Sequence, residues 1–115
     1  MTFKNRQRGH YFIPYNGKIA DITHADTNKH TLDLETALSE TRKIIAVILV
    51  AERIAGAGEL YAYPNEGAGY CDLDLWGVYN QQNIIIKDAS QRLQYSLSVA
   101  NDDFDLYCRG YVVEV

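Results

Sequence analysis

Two Asp-x-Asp pairs, Asp72/Asp74 and Asp103/Asp105, are the residues of this chain best typed for chemistry. Side chains two apart leave a strand on the same face, so two such strands side by side would gather the oxygen ligands a calcium ion takes. The fixed Gly and longer acidic loop of a specific calcium motif are absent, and the pairs read as solvated outer-face acids that discourage edge pairing. A glycosidase would need two of these carboxyls at a set separation, one with a raised pKa in a cleft, and nothing in the sequence marks a cleft. His24, Asp26 and His30 share one polar loop, but no third strong ligand stands near them. Cys71 and Cys108 each lack a second Cys or His at ligand spacing. No Ser or Cys sits in a nucleophile elbow, and the glycines follow no phosphate-loop pattern. The expectation is a chain with no catalytic residues, no metal and no cofactor.

Aromatic residues offer a second chemistry. Nine Tyr stand against three Phe and one Trp, and a tyrosine joins a large apolar body to a polar tip, which suits half-buried sheet faces and interfaces. Trp76, Tyr61, Tyr63 and Tyr70 are the candidate ligand residues, as rings that could stack on the apolar face of a sugar beside the acids. Ordinary sheet packing accounts for most of the other tyrosines.

Strands must position these groups. Arg92-Leu93-Gln94-Tyr95-Ser96-Leu97-Ser98-Val99 alternates polar and apolar residues without a fault, which gives a strand one wet and one buried side. Five such runs between Lys43 and Val115 indicate a sandwich or barrel. His10 to Ile13 reads as a short strand stopped by Pro14, with Tyr15-Asn16-Gly17 as a turn and Lys18 to Thr23 as a second short strand. Asp72 to Val78 reads as one strand, with a turn at Tyr79 to Gln82. Between Thr36 and Ala55, residues 37–43 tolerate a helix that Ser39 or Thr41 could cap, whereas Ile44, Ile45, Val47, Ile48 and Val50 favour a strand from about Lys43 to Ile54. That strand is apolar on both faces, so either an adjoining segment or another subunit must cover the outer one.

At 115 residues and without a linker, the chain reads as a short N-terminal arm, 1–10, and one β-sandwich domain, 11–115. Four of its eleven basic residues, Lys4, Arg6, Arg8 and Lys18, precede all fifteen acids. Residues 1–18 thus carry +4 and the rest −8, against −4 overall. A net negative charge argues against general nucleic-acid binding, which needs a positive field. A basic arm on an acidic body can instead dock onto a neighbouring copy. The start of the chain lacks the apolar stretch of a secretory signal, and the longest apolar run, Ile44 to Ala51, is far short of a membrane span. We therefore expect a soluble protein made in a cytoplasm. In that compartment a buried thiol is the commoner fate of a cysteine than a Cys71–Cys108 bridge.

In the last strand Phe104, Leu106, Cys108 and Val112 fall on one face. Asp103, Asp105, Tyr107, Arg109, Tyr111 and Val113 fall on the other, which turns from acidic to aromatic as it runs. With the doubly apolar strand and Trp76, this implies an apolar outer patch, and such patches mark interfaces. The interface candidates are Ile44, Ile48, Val50, Trp76, Tyr107 and Tyr111.

Thr31-Leu32-Asp33-Leu34, the long β-branched strand, Gly58-Glu59-Leu60-Tyr61-Ala62-Tyr63-Pro64 and the closing Phe104-Asp105-Leu106-Tyr107-Cys108-Arg109-Gly110-Tyr111 follow one another in an order that resembles small jelly-roll-like β-sandwich modules of phage and environmental-virus structural proteins. The same pattern recurs in modules attached to secreted bacterial proteins. Counted along the chain, the strand-like runs number about eight, as in a jelly roll, so the expected fold is an all-β, single-domain sandwich of jelly-roll type. The resemblance implies a sandwich fold, frequent trimerisation and a structural or adhesive role. It carries no functional residues with it. The expectation is thus a non-enzymatic structural protein, a homo-oligomer and most readily a trimer, on a virion and beside other virion proteins. The alternative is a carbohydrate-binding sandwich module.

Overall fold

Alternating stretches of the sequence become strands. The computed structural model describes residues 9–63, 71–72, 74–75, 78–79, 81–86 and 89–114, and of residues 71–79 the backbone alone. The described elements are β1 (His10–Ile22), β2 (His30–Asp33), a one-turn helix α1 (Leu34–Leu38), β3 (Lys43–Ala55), β4 (Leu60–Tyr63), β5 (Cys71–Asp72), β6 (Asp74–Leu75), β7 (Val78–Tyr79), β8 (Gln82–Ile85), β9 (Arg92–Leu97) and β10 (Asp103–Glu114). The first strand pairs with the last: β1 with β10, then β2 with β9, β3 with β8 and β4 with β5, all antiparallel. Further pairing of β10 with β3 and of β9 with β4 closes a first sheet, β1-β10-β3-β8, and a second, β2-β9-β4-β5. β6 and β7 form a separate hairpin that runs close to β3. The described residues are all-β apart from α1.

Both sheets contribute to one apolar core, as in a β-sandwich. Ile22, Leu49, Phe104, Leu106 and Val113 of the first sheet and Leu60, Leu93 and Leu97 of the second are at most 2% exposed, and all belong to the same cluster. This burial of alternate positions is what the period-two pattern of β9 and β10 demands.

Bulges correct the simple alternation. β10 holds one extra residue, Arg109, between its pairs with Leu49 and Ile48 of β3. An extra residue reverses the phase of the pleat beyond it. Phe104, Leu106 and Cys108 therefore face the core before the bulge, and Tyr111 and Val113 do so after it. Val112, expected inside, is half-buried on the other face. Ile45 plays the same part in β3, where Ala46 pairs with Val112 but Ile44 with Val113. The expected division of β10 into two fixed faces holds only as far as Arg109.

β1 is one strand through Pro14, not two strands and a turn. It is an edge strand, paired with β10 on one side, and an edge tolerates a residue without an N–H. Tyr15 and Asn16 are absorbed as a shift in register between Pro14 and Gly17. Asp72 to Val78 likewise is not one strand, because β6 turns back on β7. The helix is capped by Asp33, whose side chain accepts from the N–H groups of Glu35 and Thr36. Ser39, a cap candidate from sequence, instead ends the helix in the left-handed region at φ 53. The strand read from Lys43 is β3 itself.

Side chains join the elements where backbone ladders stop. Gln91, itself buried, accepts from the Ile44 N–H through Oε1 and from the Leu34 N–H through its carbonyl. Asp102 is buried against the Gly56–Gly58 turn and accepts from the Gly58 N–H at 2.6 Å. A Cβ at Gly56 would overlap that carboxylate, and Gly56 also sits at φ +105, so glycine is needed there twice over.

Candidate functional site

Register across the first sheet sorts its outer face into two halves. Phe12 of β1 lies opposite Val112 of β10, Val112 opposite Ala46 of β3, and Ala46 opposite Ile85 of β8. The neighbouring row, Ile13–Tyr111–Val47–Ile84, points into the core. The Phe12 row thus crosses all four strands on the far side from the core. Phe12 is 54% and Ile85 55% exposed, while Val112 and Ala46 are half-buried between them. Two residues along, Pro14, Gly110, Ile48 and Asn83 form the next row of this face. The Phe12 ring lies over Gly110, where a Cβ would overlap its Cζ. Glycine at 110 thereby lets the Phe12 ring approach the sheet closely.

The other half of the face is polar. Asp21, Asp105 and Glu52 stand in register on three adjacent strands. Lys18 Nζ lies 2.8 Å from Asp21 and 3.8 Å from Asp105. The hydrogen bond from Lys18 holds the Asp21 carboxyl below its ordinary range, whereas desolvation and then the neighbouring Asp21 push Asp105 up. Lys18 is in turn held protonated by Asp21 and Asp105. Beyond this row, Arg109 Nη1 donates to Asn16 Oδ1 at 2.7 Å. Asn16, Gly17, Glu52, Tyr107 and Arg109 line a concavity of about 350 Å³.

A second polar group lies inside the molecule. Glu40, 6% exposed, receives the Arg42 guanidinium through both oxygens at 2.9 Å, the Arg42 N–H at 2.8 Å and the Tyr111 hydroxyl at 2.9 Å. Arg42 holds the Glu40 carboxyl down to about 2, and burial and Glu40 push the Tyr111 hydroxyl up to about 12. A carboxyl fixed as an anion in this way is a brace, the reverse of a general acid.

The residues singled out from sequence are scattered among these places. Ile44 is fully buried, Tyr111 is 5% exposed and tied to Glu40, and both serve the chain's own core. Val50 is 3% exposed. Ile48 lies in the apolar half of the outer face, and Tyr107 lines the polar concavity. Trp76 and Tyr70 lie outside the described residues, as do the side chains of Asp72 and Asp74. Asp103 and Asp105 are half-buried on β10, and no cluster of His, Cys, Asp and Glu suited to a metal occurs among the described residues. Tyr61 and Tyr63 stand on β4 of the second sheet, where Lys29 covers one face of the Tyr63 ring at 4.3 Å and the Tyr63 hydroxyl bonds Ser96 Oγ at 2.8 Å. His24 and His30 are brought together, but as parallel rings with centroids 3.5 Å apart. Their Nε2 atoms bond the Tyr95 hydroxyl and Asp26 instead of converging on one point. Cys108 is a free, buried thiol that donates to the Gly110 carbonyl, and burial raises its pKa.

Compared with models of protein families, with curated proteins and with solved structures, the chain matches none. Among the described residues no helix is long and apolar enough to cross a membrane. The functional reading therefore rests on the chain's own surfaces. Sequence reasoning missed Phe12 and Ile85, which belong to separate short runs and meet in one row only through the pairing of four strands. It also missed Glu40, whose position beside Arg42 was the one available signal.

Proposed function

We propose that this chain is a non-enzymatic structural protein that assembles with copies of itself through the apolar half of the first sheet's outer face. The observation that carries this reading is the row Phe12–Val112–Ala46–Ile85. Four strands align apolar side chains on a face the core does not use, and its two ends are its most exposed members. Apolar patches of this kind, rimmed by polar residues, mark interaction sites. A second copy is the favoured occupant on grounds of charge. In sequence Lys4, Arg6 and Arg8 precede β1, whose third residue is Phe12, while Asp21, Asp105 and Glu52 stand at the other end of the face from Phe12. One copy thus offers both halves of an ionic contact that the other can complete. The interface drawn here keeps Ile48 from the sequence-based set and adds Phe12, Val112 and Ile85.

Jelly-roll topology is part of the proposal, and the order of pairing supports it. With the β6–β7 hairpin set aside, the eight other described strands pair first with eighth, second with seventh, third with sixth and fourth with fifth. Successive pairs fall alternately in the first and second sheets. This is one long antiparallel ribbon rolled round a core, the form taken by many capsid domains. Together with the resemblance to virus structural modules it favours a trimer on a virion. Light scattering on a dilution series tests the assembly. The expected mass is three times the 13.0 kDa of the chain, falling to one chain in a Phe12→Ser/Ile85→Ser double variant. A monomer at every concentration of the unaltered chain would overturn the reading.

A further inference from the structure

The polar concavity of the outer face shares Glu52 with the acidic row, but the Arg109–Asn16 pair at its floor has no part in the proposed self-association. Two irregularities of the sheet meet at its floor. Between the pairs Pro14–Gly110 and Gly17–Cys108, β1 holds two residues, Tyr15 and Asn16, against the single Arg109 of β10. Arg109 is also the extra residue of β10 against β3. Bulges of this kind re-aim side chains and are enriched next to functional sites. Here the two re-aimed polar chains bond each other, Arg109 Nη1 to Asn16 Oδ1 at 2.7 Å. The guanidinium keeps further donors in its fork, and the Asn16 amide keeps its NH₂ donors. Glu52 adds acceptor oxygens and Tyr107 a ring with a hydroxyl, all on a recess of about 350 Å³.

We infer that this recess is a binding site for a neutral sugar residue, with Arg109 and Asn16 as donors, Glu52 as acceptor and the Tyr107 ring beneath the sugar's apolar face. The mixture of charges selects the ligand class. An anion would meet Arg109 but also Glu52, with Asp105 in the adjoining row. A cation would meet Glu52 but also Arg109 and Lys18, the latter opposite Tyr107. A neutral polyol presents donors and acceptors together and meets no like charge. The volume suits one or two hexose rings, at the lower end of the range for small-molecule sites. The sugar chemistry suggested in sequence by the β4 tyrosines is thereby assigned to the opposite sheet.

A chemical-shift titration of the full chain tests this, with methyl glycosides of glucose, galactose and mannose and with maltose, cellobiose and lactose. Saturable shifts centred on Asn16, Gly17, Glu52, Tyr107 and Arg109 are expected with at least one of these sugars. Arg109→Ala should weaken that binding about tenfold or more, the loss typical of a charged hydrogen bond. Tyr63→Ala should leave it unchanged, and the charged counterparts glucuronate and glucosamine should bind more weakly than glucose. Retention of the unaltered shift pattern outside the recess checks that Arg109→Ala still folds. If no sugar produces saturable shifts at tens of millimolar, or the shifts centre on Tyr61 and Tyr63, or a charged sugar binds more tightly than the neutral ones, the inference is wrong.

Discussion

Glu40 shows how one buried carboxylate can set the pH limits of a small sandwich. Its folded-state pKa is about 2, well below the ordinary 4.5. A depressed pKa means stability that is complete above the unfolded value and lost as pH falls towards the folded one. The Tyr111 hydroxyl is shifted the opposite way, from 10.0 to about 12. Its contribution is complete below 10 and lost as pH rises towards 12. Urea unfolding against pH should give a plateau between these limits, and Glu40→Gln should flatten the acid flank between 4.5 and about 2. An acid flank unchanged in that variant would place the titration elsewhere. Asp102 makes a case that rests on hydrogen bonding alone. Its carboxylate is buried, and it accepts from the Gly58 N–H at 2.6 Å. Asp102→Ala should cost about 2 kcal/mol, the usual loss when a charged partner of a buried donor is removed. The midpoint of urea unfolding should fall with its slope unchanged.

At the scale of the element, what the sequence revealed and what it hid divide along local and tertiary causes. β9 and the long β3 were legible because alternation and β-branching are properties of consecutive residues. Pro14 was misread as a stop because its tolerance depends on β1 being an edge, which is decided by β10 and not by the residues around Pro14. The bulge at Arg109 was missed for a related reason. Gly110 was the one local sign, since a glycine inside a strand often marks a bulge or a close approach, but the extra residue itself exists only relative to the partners on β3 and β1. Missing it placed Tyr111 and Val113 outside and Val112 inside. The two registers make opposite predictions. With the bulge, Val113→Ala should cost about 2 kcal/mol through lost burial and a residual cavity, and Val112→Ala less than about 1 kcal/mol. Urea denaturation of the two variants decides, and the reverse order would mean the strand runs without its bulge. The same phase reversal explains why the candidate interface was only half legible. Ile48 could be placed by alternation, but Phe12 and Ile85 become neighbours of one patch only once four strands are aligned.

The whole molecule is organised by its ends. His10 lies opposite Glu114 and Ile22 opposite Phe104, so the first sheet is not complete until the first and last strands are both in place. Loop closure over nearly the full chain must precede the contacts that reward it, and refolding should fall in the slow range of roughly milliseconds to seconds. In sequence, Phe12 of the apolar row follows the basic residues Lys4, Arg6 and Arg8 by only a few positions. In the proposed assembly two forces would act together, and they respond differently to salt. Contacts between Lys4, Arg6 or Arg8 and the Asp21–Asp105–Glu52 row would weaken as ionic strength rises and the Debye length shrinks to a few ångströms. Burial of Phe12, Val112 and Ile85 would persist, because apolar association does not depend on screening. Removing residues 1–8 should therefore weaken assembly while leaving the fold intact, and should abolish most of its salt dependence. The measurement is a dilution series by light scattering at low and high salt, on the full chain and the shortened one, with circular dichroism to verify the fold. If the shortened chain assembles as tightly as the full one at low salt, the basic segment has no part in the interface, and the apolar row must hold the copies together unaided.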